Sequence, residues 1–218
     1  MLWFPLLLLS VVASPQENKV PAPPIPMKTN QAEELASQAR AANERGDITA
    51  AIRLYTKAGE MGLPIAWNAL GNIYAEQGSI YKNPESAFKC YKKGAELGYA
   101  VSQVNTGYCY LDGDGATRDP ESALKWFLKA SNQNEARGQL EAAKLLWAGK
   151  EVSQDLKNAY RLMNNSAKNG EPEAMFGLGV MLINGHGVNK DPKLGLEWIT
   201  KSANAGNDDA IKFLDSTR

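Results

Sequence analysis

The chain of 218 residues has one histidine, two cysteines and no excess of either charge. With so few nitrogen and sulfur ligands, a zinc site with the usual four protein ligands is not expected. A histidine-based triad would depend on one side chain, and no Gly-x-Ser-x-Gly elbow is present. Basic and acidic residues number 24 each, so the basic excess typical of nucleic-acid-binding proteins is missing. We therefore predict a non-catalytic protein with no metal, no cofactor and no nucleic-acid partner.

The N-terminus differs in composition from the rest of the chain. Residues 1–13, MLWFPLLLLSVVA, form an apolar run that is too short to span a bilayer but suits a signal peptide. Val11 and Ala13 would occupy the −3 and −1 positions of its cleavage site. Residues 14–30 contain five prolines and predict an extended linker. We expect cleavage before Ser14, a periplasmic or secreted product, and no stable membrane insertion after cleavage; an uncleaved membrane anchor or a misassigned start is the alternative.

The rest of the chain is an internal repeat of 36 residues, which aligns without gaps from residue 29. One column holds only Asp or Asn, the preferred N-caps of helices: Asp47, Asn83, Asp119, Asp155 and Asp191. Proline follows the cap in three rows, at the first helical position, where its missing N–H costs nothing. Fifteen residues after the cap, Gly or Asn marks a helix end: Gly62, Gly98, Asn134, Gly170 and Gly206. Each row therefore contains a helix of about four turns, which we name helix B.

A second helix, helix A, is predicted before each of the later caps. Its markers are a small residue and a large one three positions later. The small residues are Gly71, Gly107, Ala143 and Gly179, and the large ones are Tyr74, Tyr110, Leu146 and Leu182. A single helix pair cannot bury its apolar faces, whereas stacked pairs can. We therefore predict an all-α protein, an α-solenoid of antiparallel helix pairs over residues 31–218. Its units are 29–64, 65–100, 101–136, 137–172 and 173–208, with a C-terminal cap helix over 209–218.

The repeat motifs carry a family resemblance. The segments LGNIYAEQGSIYKNPESAFKCYKKGAELG and LGVMLINGHGVNKDPKLGLEWITKSANAG resemble Sel-one-like repeats, a branch of the tetratricopeptide superfamily. The first unit has no Gly-rich loop and is similar to a plain tetratricopeptide unit. The fourth unit lacks the Leu-Gly pair and the aromatic pair of helix B, which leaves its packing open.

The segment LINGHGVNKDPKLG, residues 182–195, contains the only histidine and a Gly-x-Gly turn. A phosphate-binding loop needs a preceding strand, and no strand is predicted. In the repeat alignment, Gly185 has counterparts in Gly149 and Gly113, and Asp191 is a helix cap. We therefore predict a structural turn, with His186 at an exposed loop tip.

The resemblance implies a protein partner that binds the concave face of the superhelix, lined by the A helices. The residues that would face the partner are Asn68, Asn72, Glu76, Tyr108, Asp112, Lys144, Trp147 and Val180. Relatives of this kind serve as envelope adaptors, host-interaction factors or immunity proteins. The alternative function is a hydrolase or a binder of cell-wall fragments, as suggested for some secreted relatives.

Two further patterns leave alternatives open. Cys90 and Cys109 lie in apolar columns, so they are either buried thiols or, in an exported protein, a disulfide. Helix B also carries two basic columns, which are either solvated charge near helix ends or a surface for an acidic partner. The first basic column holds Arg53, Lys89, Lys125 and Arg161, and the second holds Lys57, Lys93, Lys129 and Lys201.

Overall fold

The computed structural model describes residues 27–76 and 78–216, which form eleven α-helices and contain no strand. In chain order the helices are α1 (Met27–Glu44), α2 (Ile48–Glu60), α3 (Pro64–Ala75), α4 (Pro84–Glu96), α5 (Ala100–Asp112), α6 (Pro120–Ser131), α7 (Ala136–Ala148), α8 (Leu156–Lys168), α9 (Pro172–Asn184), α10 (Pro192–Asn204) and α11 (Asp208–Ser216). The predicted signal peptide and residues 14–26 of the predicted linker lie outside the described residues. Residues 27–30, which we assigned to the linker, belong to α1 instead. A helix is possible there because Pro26 is the last proline before Pro64.

The helices form the predicted solenoid of five antiparallel pairs. Odd-numbered helices α1 to α9 are the A helices, even-numbered helices α2 to α10 are the B helices, and α11 packs on α10. Each A helix packs on the B helix of its own unit and, after the first, on the B helix of the preceding unit. The A helices α3, α5 and α7 also contact one another in sequence, whereas no two B helices of the described chain make comparable contacts. The A helices therefore lie on the inner, concave side and the B helices on the outer side.

All five predicted N-caps are confirmed. Each Asp or Asn side chain accepts a hydrogen bond from the backbone N–H three residues later, for example Asp191 from Leu194 at 3.0 Å. All five predicted helix ends have positive φ, from 61° at Asn134 to 94° at Gly170. These caps satisfy the backbone groups that helix ends leave without partners. Local sequence therefore fixes where each B helix begins and ends.

The small-residue column permits close approach of the two helices within a unit. A Cβ atom at Gly107 would lie 2.5 Å from the ring of Phe127, and one at Gly71 would lie 2.5 Å from the ring of Tyr91. In the fourth unit the same two positions hold Ala143 and Met163, both fully buried. The fourth unit packs like the others, because Ala143 is slightly larger than glycine while Met163 is narrower and more flexible than an aromatic ring.

The apolar core has two main parts. One cluster spans α1 to α4, with Trp67 and Leu70 among its buried members, and the larger cluster spans α5 to α9 around Phe127 and Leu162. A small cluster of Ala87, Tyr91 and Cys109 lies between them. None of the helices in the described part of the chain is long and apolar enough to cross a membrane.

Candidate functional site

The candidate site is the inner surface, which the A helices α3, α5, α7 and α9 present. The predicted partner-binding residues differ in their exposure there. Asn72, Glu76, Asp112 and Lys144 are exposed, Tyr108, Trp147 and Val180 are half-buried, and Asn68 is buried. Four of the eight residues are therefore exposed, and the sequence did not show which of them contact one another.

A charged network occupies the inner surface of units three to five, with Glu141 at its centre. The Glu141 side chain is only 6% exposed and forms ion pairs with Arg137 at 3.2 Å and Lys144 at 3.3 Å. The hydroxyl of Tyr108 on α5 donates to Oε1 of Glu141 at 2.8 Å and accepts from Nε of Arg137 at 2.7 Å. A buried carboxylate is stable only when paired and hydrogen-bonded, and these three side chains supply the partners.

The network continues through Glu171, at the end of the fourth unit, into the fifth unit at Glu173. Nζ of Lys144 donates to Glu173 at 2.9 Å, and Nη1 of Arg137 lies 3.4 Å from Glu173 and 3.6 Å from Glu171. Partial burial disfavours the charge of Lys144, yet its hydrogen bond to Glu173 and the attraction of Glu141 hold its pKa above the usual value. Burial also raises the pKa of Tyr108, so its hydroxyl stays protonated and able to donate. Three units are thus joined by one set of polar contacts.

Beside this network lies an open groove of about 540 Å³ between α5 and α7. Its lining residues are Leu111, Asp112, Arg118, Glu141, Lys144, Leu145, Ala148 and Glu151. An ion pair between Arg118 and Glu151 joins the interhelical loops of units three and four. The groove therefore offers apolar side chains between charged groups of both signs.

A second groove of about 510 Å³ lies on the inner surface of the first two units. Asn72 and Glu76 line it, together with Tyr55 and Tyr91. The hydroxyl of Tyr91 donates to Oδ1 of Asn72 at 2.9 Å. Four of the predicted residues thus line a groove: Asn72 and Glu76 line this one, and Asp112 and Lys144 line the groove between α5 and α7.

Asn68 lies beneath the inner surface rather than on it. Its Oδ1 accepts hydrogen bonds from Ser102 at 3.1 Å and from Asn105 at 2.9 Å, both on α5. The side chain is buried because it sits one helical turn before Asn72, where α3 faces α5 and not the solvent. Asn68 therefore joins the second unit to the third.

The loop at 185–191 is the structural turn that we predicted, but His186 is not an exposed loop tip. Gly185 ends α9 with φ 76°, and Asp191 caps α10. His186 is half-buried, since the loop folds back over the end of α7 in the preceding unit. There Nε1 of Trp147 donates to Nδ1 of His186 at 3.2 Å, and the two rings meet edge to face at 5.8 Å. The exposed-tip prediction was wrong because it considered the loop without its neighbouring unit.

Sequence reasoning missed Arg137, Glu141 and Glu173. Arg137 and Glu173 are one repeat of 36 residues apart, and Tyr108 and Glu141 are 33 apart. Residues one repeat apart, or three to four short of it, meet across neighbouring units of a solenoid. A search for opposite charges one repeat apart would have found the pair of Arg137 and Glu173. No group of three or more His, Cys, Asp or Glu side chains in the described part is arranged to hold a metal ion.

Family models and solved structures that match this chain are Sel1 repeat proteins or share their helical-repeat fold. The family model of the Sel1 repeat matches residues 32–63, 65–99, 100–135, 136–171 and 172–207, while no curated protein sequence matches significantly. A solved Sel1 repeat protein from Oxalobacter formigenes is 28% identical, with 82% of this chain and 74% of that chain covered and a TM-score of 0.75. A Sel1 repeat protein from Klebsiella pneumoniae is 18% identical (87% and 96% covered, TM-score 0.54). An immunity protein from Pseudomonas aeruginosa is 20% identical (84% and 68% covered, TM-score 0.51).

Proposed function

The chain belongs to the Sel1 repeat family, whose members are in general non-catalytic scaffolds for protein–protein interaction, and we propose that it binds a protein partner on its inner surface. The observation that carries the proposal is the charged network beside the groove between α5 and α7. Arg137, Lys144 and Tyr108 each contact Glu141, which holds them in place before any partner arrives. Preorganised side chains lose little conformational freedom on binding, which favours affinity.

The groove also has the composition of a binding site. Tyr and Arg are enriched among the residues that dominate binding energy, and both are present in the network. Leu111, Leu145 and Ala148 supply apolar surface between the charges. A protein segment with an apolar side chain flanked by polar or charged groups would complement this arrangement.

We propose further that the protein is exported and acts in the periplasm or outside the cell. The short apolar run at residues 1–13, with small residues at its end, supports this. Its role would then be that of an envelope adaptor, a host-interaction factor or an immunity protein; the fold shared with an immunity protein is compatible with the last of these. Intact-mass measurement of protein from the envelope fraction should give a chain beginning near Ser14, and a retained Met1 would contradict export by cleavage.

The binding proposal can be tested with two charge reversals of equal size. Asp112→Lys changes an exposed residue of the groove, whereas Asp114→Lys changes an exposed residue two positions later that does not line it. A partner captured from envelope extract by the wild-type chain should bind Asp112→Lys at least about tenfold more weakly. Asp114→Lys should bind as the wild type does.

Equal binding by both variants and the wild type would contradict the assignment of the inner surface. Equal loss in both would indicate an effect of net charge and not of the groove. Hydrolytic activity of the purified chain without any partner would contradict the non-catalytic role. Melting curves of both variants should match the wild type, because no ion pair of the described residues includes Asp112 or Asp114.

A further inference from the structure

The outer side of the solenoid is basic, although the chain as a whole carries no net charge. We call the exposed surface of the five B helices the outer ridge. These helices contain twelve Lys or Arg residues and five Glu residues. The basic residues are Arg53, Lys57, Lys89, Lys92, Lys93, Lys125, Lys129, Lys157, Arg161, Lys168, Lys193 and Lys201. The four Asp residues that cap B helices offset only part of this excess, and every unit contributes at least two cations.

The cations of the outer ridge form no direct ion pair with a carboxylate of the described residues. All the ion pairs found among the described residues lie on A helices, on loops or on α11. Eleven of the twelve ridge cations are exposed, and Lys92 is half-buried. On the inner surface, by contrast, Arg137 and Lys144 are each paired with glutamates. The ridge charges are therefore available to an external anionic group.

Three ridge lysines lie over tryptophan rings. The ammonium of Lys93 is 4.0 Å from the ring centroid of Trp67, that of Lys129 is 3.9 Å from Trp126, and that of Lys201 is 4.4 Å from Trp198. Such cation–π contacts attract the ammonium without neutralising its charge. Trp126 and Trp198 are themselves half-buried on the B helices. The three lysines share one repeat position, and Trp126 and Trp198 share another, whereas Trp67 lies on α3 and is buried.

We propose that the outer ridge binds the surface of a bilayer rich in anionic phospholipid. Ten of the twelve cations are lysines, which are flexible, strongly hydrated point charges. Lysine is depleted in protein interfaces, where arginine is preferred, but it suits the diffuse charge of fluid headgroups. Tryptophan is likewise favoured at the level of lipid headgroups. Binding here would be peripheral and would need no insertion of a helix.

The two other anionic partners fit the ridge less well. Single-stranded nucleic acid needs open aromatic faces on which bases stack, and the faces of Trp67, Trp126 and Trp198 are covered by lysines. A specific acidic protein surface would favour arginines in fixed geometry, and Arg53 and Arg161 are the only two on the ridge. The inference does not rest on the proposed partner of the inner surface, because the two surfaces lie on opposite sides of the solenoid.

The test uses the full chain and two sets of vesicles, one of phosphatidylcholine alone and one of phosphatidylcholine mixed with phosphatidylglycerol. Each lysine near an anionic surface strengthens binding about fivefold. The fourfold variant Lys89→Gln, Lys93→Gln, Lys125→Gln and Lys129→Gln should therefore bind anionic vesicles at least about 100-fold more weakly than the wild type. Any contribution of the N-terminal apolar run is common to all variants and also present on neutral vesicles, so the comparison removes it.

Two matched variants separate the ridge from total charge and from folding. Arg45→Gln, Lys150→Gln, Lys190→Gln and Lys212→Gln remove four cations that lie outside the B helices, and this variant should keep nearly all of the binding. The variant Lys89→Arg, Lys93→Arg, Lys125→Arg and Lys129→Arg keeps the charge and should bind as the wild type does. Binding should also weaken steeply as salt is raised.

Three results would overturn the proposal. One is equal binding of the wild type to neutral and anionic vesicles. Another is equal loss in the two fourfold glutamine variants, which would indicate net charge alone. The last is a ridge-dependent affinity for duplex DNA with no preference for anionic vesicles, which would assign the ridge to nucleic acid.

Discussion

At the scale of single residues, the two cysteines illustrate how burial controls reactivity. Burial raises the pKa of the Cys90 thiol and of the Cys109 thiol to about 11, and both are free. The thiolate is the reactive form, so a raised pKa leaves little of it at neutral pH. We predict that both thiols react slowly with Ellman's reagent at pH 7.5 in the native chain and rapidly in urea. Fast native labelling would contradict their burial, and no labelling even in urea would indicate a disulfide.

His186 contributes to stability through its neighbour. Because it accepts a hydrogen bond from Trp147 and packs against the indole ring, we predict that His186→Ala lowers the free energy of unfolding by about 1 kcal/mol. Urea denaturation measures the change. The control is Lys150→Ala, since Lys150 holds the same repeat position one unit earlier and is exposed. That change should cost no more than about 0.5 kcal/mol, and equal costs would show that the Trp147 contact adds nothing.

Residue-level prediction from sequence succeeded where the cause is local. An Asp or Asn cap needs only its own backbone three residues later, so Asp191 could be assigned with no knowledge of the fold. The contacts of His186, Tyr108 and Lys144 depend on side chains 29 to 39 residues away. Those contacts follow from the tilt of one unit on the next, which a column alignment does not contain.

At the scale of helices, the contact between helix A and helix B of one unit is set by a pair of columns. Gly107 faces Phe127 in the third unit, whereas Ala143 and Met163 hold these positions in the fourth. We predict that Gly107→Ala destabilises the chain by about 1–3 kcal/mol, because the added methyl group meets the Phe127 ring. Thermal or urea unfolding gives the value.

The same reasoning predicts a rescue. Phe127→Met combined with Gly107→Ala recreates the pair of the fourth unit, so the double variant should be more stable than the sum of the two single effects implies. A double-mutant cycle measures this coupling. Simple additivity of the two changes would contradict the view that the columns compensate each other.

Element positions were predictable because capping and periodicity agree in most units. The departures of the fourth unit from the family pattern did not alter its fold, since Leu140, Leu162 and Met163 fill its core without the aromatic pair. Helix α1 begins at Met27, inside the segment that we assigned to the linker. Composition alone suggested the linker boundary, and the absence of proline after Pro26 was the better guide.

At the scale of the whole molecule, the apolar core is discontinuous between the second and third units. The clusters on its two sides span α1–α4 and α5–α9, and between them lie the small cluster around Tyr91 and the edge-to-face contact of Phe88 with Tyr110 at 5.2 Å. Hydrogen bonds add to the apolar contacts at this boundary. The Asn68 side chain accepts hydrogen bonds from Ser102 and Asn105, and the Gln103 side chain donates one to the carbonyl of Ala95 at 3.3 Å. Repeat proteins are stabilised by contacts between neighbouring units, so a weak boundary divides them into parts that open separately.

We therefore predict that hydrogen exchange is faster in α1–α4 than in α5–α9, and that Asn68→Ala increases this difference. The change leaves Ser102 and Asn105 without their acceptor, which should cost about 1–3 kcal/mol at the boundary. The amides of α1–α4 should lose protection by about tenfold or more, while those of α7–α9 should be unchanged. Exchange followed by mass spectrometry of peptic fragments gives both values.

Asn72→Ala is the matched control, because Asn72 is one turn away on α3 but accepts from Tyr91 within its own unit. Asn72→Ala should not increase the difference in exchange protection between α1–α4 and α5–α9. Uniform loss of protection along the chain in Asn68→Ala would instead show that the five units open as one, and that the polar boundary is as strong as the apolar ones.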